Sequence, residues 1–439
     1  MSQTPPSGGF LERYFKLSQN GTTVKTEALA ALTTFLTMCY IVIVNPMILS
    51  ESGMDHGAVF VATCVTAAIG CFVMGVVANY PIALAPGMGL NAYFTYAVCL
   101  GMGVPWQTAL GAVFVSGLLF FALSFSNIRE ALINAIPMSL KLAIGAGIGL
   151  FLALIGLKNA GIVVDSPATL VAMGSLKEPA ALLAFLGLLL IAVMSHFKVR
   201  GAIIASILVV TVIATAMGIN TIHGIVGPIP SMAPTFMQMN FSDLFTPAMV
   251  GVIFVFFLVD LFDSTGTLVG VSSRAGLLKD GKLPRLKRAL LADSTAITAG
   301  AVLGTSSSTP YIESASGVAA GGRTGLTAVI VGLLLLACLF FEPLARSVPA
   351  FATAPALIYV GVLMMHSIKN IDWEDITEAL PAFLTIAFMP FTYSIADGIA
   401  MGFISYALVK LFTGKAKTVP YMVWIVAVLW ALKFTFFGG

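Results

Sequence analysis

The residues best placed to do chemistry in this chain are a few carboxylates written into otherwise apolar sequence. Glu313 lies in TSSSTPYIESASGVAAGG (305–322), where hydroxylic residues and Pro310 precede the acid and small residues follow it. Asp260 and Asp263 lie in FFLVDLFDSTGTLVG (256–270), at i and i+3 and so near one face of a helix. An acid inside a membrane span is costly enough to mark a functional site by default. Two carboxylates supply paired acceptors, or a shared proton when a low dielectric keeps both from ionising. Asp260 could equally serve packing, hydrogen-bonded to Ser and Thr residues of a neighbouring helix. Asp293, in LLADSTAITAG, closely follows a basic loop, so a salt bridge to Arg285 or Arg288 competes with a transport role; Asp397, in YSIADGIAMG, suits the cap of a short helix.

The membrane premise comes from composition. The 439 residues are 59% hydrophobic and 9% charged, against roughly 25% charged in a typical soluble domain. This is a polytopic membrane protein whose lipid bilayer is its solvent. The net charge of +3 is carried by loops and implies no nucleic-acid partner. Cys39, Cys64, Cys71, Cys99 and Cys338 fall in apolar segments without metal-ligand spacing and read as packing residues. His56, His196, His223 and His366 sit at segment ends or in loops, so neither a metal, a cofactor nor a second catalytic group accompanies the acids. An enzyme is therefore not expected. Residues 1–26 lack the features of a signal peptide and read as a cytoplasmic tail, with FLERYFKL as an interfacial helix.

Stretches near the roughly 20 residues that span a bilayer occur at 28–50, 58–78, 107–125, 139–157, 180–196 and 201–218, and again at 247–270, 289–304, 324–342, 352–367, 378–392 and 394–412. Two more, 82–100 and 305–322, are interrupted by Pro and Gly, and 421–437 is left over as a further span or an interfacial helix. With both interrupted segments counted as crossings, the basic groups at Arg129 and Lys141, Lys198 and Arg200, 274–288, and Lys410, Lys415 and Lys417 all fall on the cytoplasmic side. Fourteen spans divide into seven and seven at the loop 220–243, and an odd number forces the second half to enter from the opposite side, as an inverted repeat. The third and tenth segments then hold the interruptions, ALAPGMGLNAYF (83–94) and 305–322. Irregular backbone at membrane depth is tolerated only where protein buries it or a cavity meets it. Residues 305–313 read as a short extended piece entering a half-helix near Pro310, whose free N–H groups face the site. Such a pair in corresponding positions marks a transporter's midplane site.

The combination TTFLTMCYIVIVNPMIL (33–49), LAPGMGLNAYF (84–94), LFDSTGTL (261–268) and YIESASGVAAGGRTGLTAV (311–329) resembles the AzgA-like purine permeases of the nucleobase/ascorbate transporter superfamily. The resemblance runs over essentially the whole chain. It implies an all-α fold of fourteen segments in two inverted repeats of seven, with the third and tenth broken into a short strand plus a half-helix. The implied core domain is 27–127 and 244–343, and the gate domain is 128–243 and 344–439. It further implies purine (hypoxanthine, guanine, adenine) import across the cytoplasmic membrane by secondary transport, with proton symport expected and sodium coupling or a channel-like pathway as alternatives. Carried over position by position, the substrate residues are Asp263, Glu313 and Asn91, with Thr34 and Thr37 in the first segment and Ile312 and Ser314 beside the glutamate. The proton candidates are Asp263, Glu313 and Asp293. Uracil-specific relatives have a histidine where this sequence has Thr267, so their proton carrier does not transfer. Relatives often pair through the gate domain, which leaves a homodimer open.

Overall fold

The computed structural model describes residues 9–124, 136–278 and 283–436. Arg129, part of the basic loop 274–288 and the first eight residues of the tail lie outside the described residues. In chain order the elements are α1 (Phe10–Phe15), α2 (Val24–Met38), α3 (Ile41–Ser50), α4 (His56–Val73), β1 (Leu84–Pro86), α5 (Met88–Ala92) and α6 (Trp106–Ser124). There follow α7 (Met138–Asn159), β2 (Val163–Ser166), β3 (Leu170–Met173), α8 (Pro179–His196), α9 (Ala202–Ala216), α10 (Pro247–Arg274) and α11 (Leu286–Leu303). The chain continues through β4 (Ser308–Pro310), α12 (Ser314–Ala319), α13 (Gly325–Ala337), α14 (Glu342–Arg346), α15 (Ala350–Met365), α16 (Ile376–Phe391), α17 (Ile395–Phe412) and α18 (Tyr421–Phe436).

Nine helices among the described residues are long and apolar enough to cross a membrane. Ala202–Ala216, Ile376–Phe391 and Tyr421–Thr435 are shorter apolar ones. The helix Leu286–Leu303 has the length but carries Lys287, Arg288 and Asp293. The stretch left over in the sequence forms α18, which packs on α17, and the FLERYFKL segment forms α1.

The two interrupted segments meet. β1 and β4 pair antiparallel, with Leu84 opposite Pro310, Ala85 opposite Thr309 and Pro86 opposite Ser308. Gly87 N–H donates to Ser307 O at 2.8 Å, and Tyr311 N–H to Ala83 O at 2.9 Å, so the ladder continues one step beyond each proline. A proline has no N–H to give, and in a two-stranded ladder it is accommodated where its nitrogen faces away from the partner strand. Pro310 therefore belongs to the strand, and the second half-helix starts at Ser314 instead of near Pro310. The first, α5, runs on through wider turns to Gly101. Asp397 also departs from expectation. Ser394 caps α17, accepting from Asp397 N–H at 3.2 Å, and that helix is long. The hairpin β2–β3, between α7 and α8, is the other structure that an all-helical reading omits.

Helices α2–α6 pack with α10–α13 as one bundle, and α7–α9 pack with α15–α18 as a second. Small residues let the second bundle close tightly, for a Cβ on Gly149 would lie 2.8 Å from the backbone oxygen of Gly361. That is the expected device where lipid removes the hydrophobic drive between helices. In the first bundle the buried Glu27 carboxylate accepts from the N–H groups of Arg323, Thr324 and Thr327 at 2.9, 3.3 and 3.2 Å. It thereby satisfies the free amides at the start of α13 from across the bundle.

Candidate functional site

A cavity of about 520 Å³ lies between the two bundles. Its polar wall comes from the first bundle: Tyr40 before α3, Gly87–Leu90 at the start of α5, Asp263 and Thr267 on α10, and Thr309–Glu313 after β4. Its apolar wall comes from the second bundle, chiefly Ile144 and Ile148 on α7 and Val360 and Met364 on α15. The cavity reaches the surface at Lys141, His366 and Asn370, where α7 begins and α15 has ended.

Glu313 immediately precedes α12, and its Oε1 accepts from the Tyr40 hydroxyl at 2.8 Å. One carboxylate oxygen is thus held by the fold. Asp263 faces the same cavity from α10, near the Thr309 hydroxyl and within electrostatic reach of Glu313. The carbonyl of Pro86 accepts from the Tyr311 hydroxyl at 2.6 Å, which locks the crossing point of the two strands behind the acids. Ile312 also lines the cavity and is half exposed to it.

The other sequence-derived candidates lie one layer back. Asn91 is fully buried and its Oδ1 accepts from the Ser306 hydroxyl, tying α5 to the segment that leads into β4. Ser314 Oγ accepts from Ala83 N–H at 3.0 Å. Thr37 shares a 3.0 Å hydrogen bond with Ser316, and Thr34 packs against Gly317. A Cβ on Gly317 would fall 2.0 Å from Thr34 Oγ1, so only glycine lets α12 approach α2 this closely. None of Asn91, Thr34, Thr37 and Ser314 lines the cavity. They set the position of the segments that do.

Asp260 is fully buried behind β4, both of its oxygens accepting from the Ser307 hydroxyl at 2.7 and 2.8 Å. Asp293, fully buried on α11, lies near enough for its charge to act on Asp260. Neither lines the cavity. Tyr40 is the residue that sequence reasoning passed over. A hydroxyl-bearing aromatic in the middle of an apolar span is the signal that could have found it, because a buried phenol needs a partner.

Over residues 25–401 the sequence matches a family model described as "Permease family". It is 49% identical over 435 residues to the adenine permease AdeP of Escherichia coli, covering 99% of this chain and 98% of that protein. It is 46% identical over 438 residues to the guanine/hypoxanthine permease PbuG of Bacillus subtilis, covering 97% of this chain and 100% of that one. Among solved structures, the transmembrane domain of the cyanobacterial bicarbonate transporter BicA superposes with a TM-score of 0.63 at 18% identity, covering 85% of this chain and 97% of that chain.

Proposed function

The chain belongs to the permease family, a family of membrane transporters and not of enzymes, and from that premise we propose that it imports purine nucleobases by proton symport. The observation that carries this reading is the composition of the cavity: two carboxylates and backbone groups on one wall, aliphatic side chains on the other. A purine is flat, neutral and rich in N–H groups, so its edge takes the acceptors and its faces take the apolar wall. The relatives' purine specificities, adenine in one and guanine/hypoxanthine in the other, support the substrate class.

In this reading the first bundle is the core domain, 27–127 with 244–343, and the second is the gate domain, 128–243 with 344–439. The fourteen crossings consist of the segments ending at α17, both interrupted ones included, with α18 beside them. The chain sits in the cytoplasmic membrane with its N-terminus inside. The cavity mouth at Lys141 and Asn370 then faces the cytoplasm. On the opposite side the bundles meet through Tyr96, whose hydroxyl donates to Glu51 at 2.8 Å and whose ring stands edge-on to Tyr393 with centroids 6.0 Å apart. Lys158 covers the Tyr393 ring at 5.5 Å. The state is inward-facing, and sliding the core along the gate exchanges that outer seam for an outer mouth. Two acids sharing a low-dielectric site cannot both ionise cheaply, so one carries a proton with the base, and Asp263 is assigned that role with Asp293 in reserve.

The test is radiolabelled purine uptake into proteoliposomes with the proton and sodium gradients imposed separately. Saturable accumulation driven by the pH gradient supports the proposal. Accumulation driven only by sodium would replace the coupling ion, and unsaturable flux would indicate a channel.

A further inference from the structure

The cavity is longer than the proposed substrate. At about 520 Å³ it falls within the range of roughly 300–1,000 Å³ that encloses drug-sized ligands, and a bare bicyclic base fills only its deep end. Ile148, which packs against Gly89, marks the level of that deep end on α7. Lys141 lies two helical turns nearer the mouth, a rise of about 10 Å at 1.5 Å per residue. On α15 Val360 stands at the deep level, and His366, Ser367 and Asn370 follow at the mouth. The wall formed by α7 and the wall formed by α15 and the turn after it thus both change from aliphatic to polar at the same end of the cavity.

Among the described residues the charge at that end is unbalanced. Lys141 is half-buried in the cavity wall and has no hydrogen-bond or ion-pair partner among the described residues. The nearby acid on α16, Glu378, is already engaged by Lys410 at 2.6 Å, by Tyr406 at 3.1 Å and by the Ser139 hydroxyl. Asp375 is bridged to Lys415 at 3.0 Å. His366 Nε2 faces Lys369 Nζ at 3.2 Å, which brings a second ammonium to the rim. A neutral base makes no use of these groups.

We infer that this mouth is an anion subsite, and that the cavity takes a purine nucleoside monophosphate from the inner side, base against Asp263 and Glu313 and phosphate on Lys141. The inference rests on the transport reading above. With the pyrimidine edge of the base on the carboxylates, the ribose-bearing nitrogen points away from them, toward the open end. Any reaction that traps an imported base by attaching a phosphorylated sugar makes a ligand of this shape. Such a ligand is not carried, because a phosphate dianion cannot follow the base past the aliphatic wall without losing its hydration. It holds the inward-facing state and so restrains further import once the trapped product accumulates.

The experiment is displacement of a bound radiolabelled base from purified protein by adenosine and inosine 5′-monophosphates, by the two nucleosides, and by inorganic phosphate alone. Each monophosphate is expected to displace the base at a concentration lower than its nucleoside by about tenfold, the order expected of one added hydrogen bond between charged groups. Lys141→Gln should erase that advantage and Lys141→Arg should keep it, with base saturation unchanged in both. Equal potency of nucleotide and nucleoside, an advantage that survives Lys141→Gln, or equal displacement by inorganic phosphate alone would each overturn the inference. A wild-type protein that binds no base at all overturns the transport reading as well, and that is seen before any nucleotide is added.

Discussion

Replacing Glu313 by glutamine tests the site at its most constrained atom. Tyr40 is buried to 1% exposure and its hydroxyl donates to Glu313 Oε1 at 2.8 Å. A glutamine in the same rotamer keeps that bond only by giving its carbonyl oxygen to Tyr40, which turns its NH2 into the cavity. The acceptor that faces a ligand N–H therefore becomes a donor, while the contact within the protein survives. A donor left unpaired against another donor costs about 1–3 kcal/mol, or roughly five- to 150-fold in affinity. Thermal stability in detergent should change little, since the bond to Tyr40 is retained. Tyr40→Phe is the complement: it releases the glutamate without altering its charge, so it weakens binding through position alone. In a double-mutant cycle the two changes should couple by about 0.5–3 kcal/mol, the range for residues that share one hydrogen-bond network. The assay is equilibrium binding of radiolabelled purine to the four purified proteins. Wild-type affinity in Glu313→Gln, or strict additivity of the two changes, would refute the reasoning.

Four further outcomes follow from the same geometry. Asp263→Asn should abolish accumulation of purine when only a pH difference is imposed on proteoliposomes; accumulation that persists moves the proton to Asp293 or elsewhere. Gly317→Ala, whose Cβ would meet Thr34 Oγ1 at 2.0 Å and Ala30 O at 2.6 Å, should destabilise by about 1–3 kcal/mol, the usual cost of overpacking; thermal melts check this, and Thr34→Ala should recover part of the loss. Burial of Glu51 in the seam beside Tyr96 raises its pKa above the ordinary 4.5, more than its Tyr96 hydrogen bond and Lys158 lower it. A carboxylate with a raised pKa favours the closed seam at low pH and loses that contribution as the pH climbs through the raised value, so outer-side labelling of Ile312→Cys by an impermeant maleimide should rise with pH more steeply than it does when Glu51→Gln is added. Finally, an ionised carboxylate on the N1 edge accepts from the N1–H of hypoxanthine and guanine, whereas adenine presents an acceptor there. Competition assays should therefore rank those two ahead of adenine, and the reverse order would turn the base around in the site.

The location of the cavity was legible in the sequence because acids, prolines and hydroxylic runs are costly inside a membrane, and such costs are visible without coordinates. Asp263 and Glu313 stood out for that reason, and they do face one cavity. The partners were not legible. Polarity shows that a buried residue needs a partner but not which one, so Asn91, Thr34, Thr37 and Ser314 read as substrate contacts while the fold turns them toward Ser306, Gly317, Ser316 and Ala83. Tyr40 was missed for the same reason, since its partner lies 273 residues away. Pro310 misled because a proline suits both the first turn of a helix and the end of a strand. Only pairing with Leu84 decides between them.

That pairing also explains why position and partners separate so cleanly. Each half of the chain contributes one three-residue strand, and neither strand can satisfy its own backbone groups at membrane depth. Gly87 N–H needs Ser307 O, and Tyr311 N–H needs Ala83 O, each from the other half. Asn91 repeats the pattern with Ser306, and the Tyr311 hydroxyl repeats it with Pro86 O. The ladder exists only once the two halves have met. The crossing is antiparallel, and it sets Gly87–Leu90 of the first half beside Asp263 and Glu313 of the second on the same wall of one cavity. Each half therefore records in its sequence that something is unsatisfied at its third segment, while the identity of what satisfies it is written in the other half.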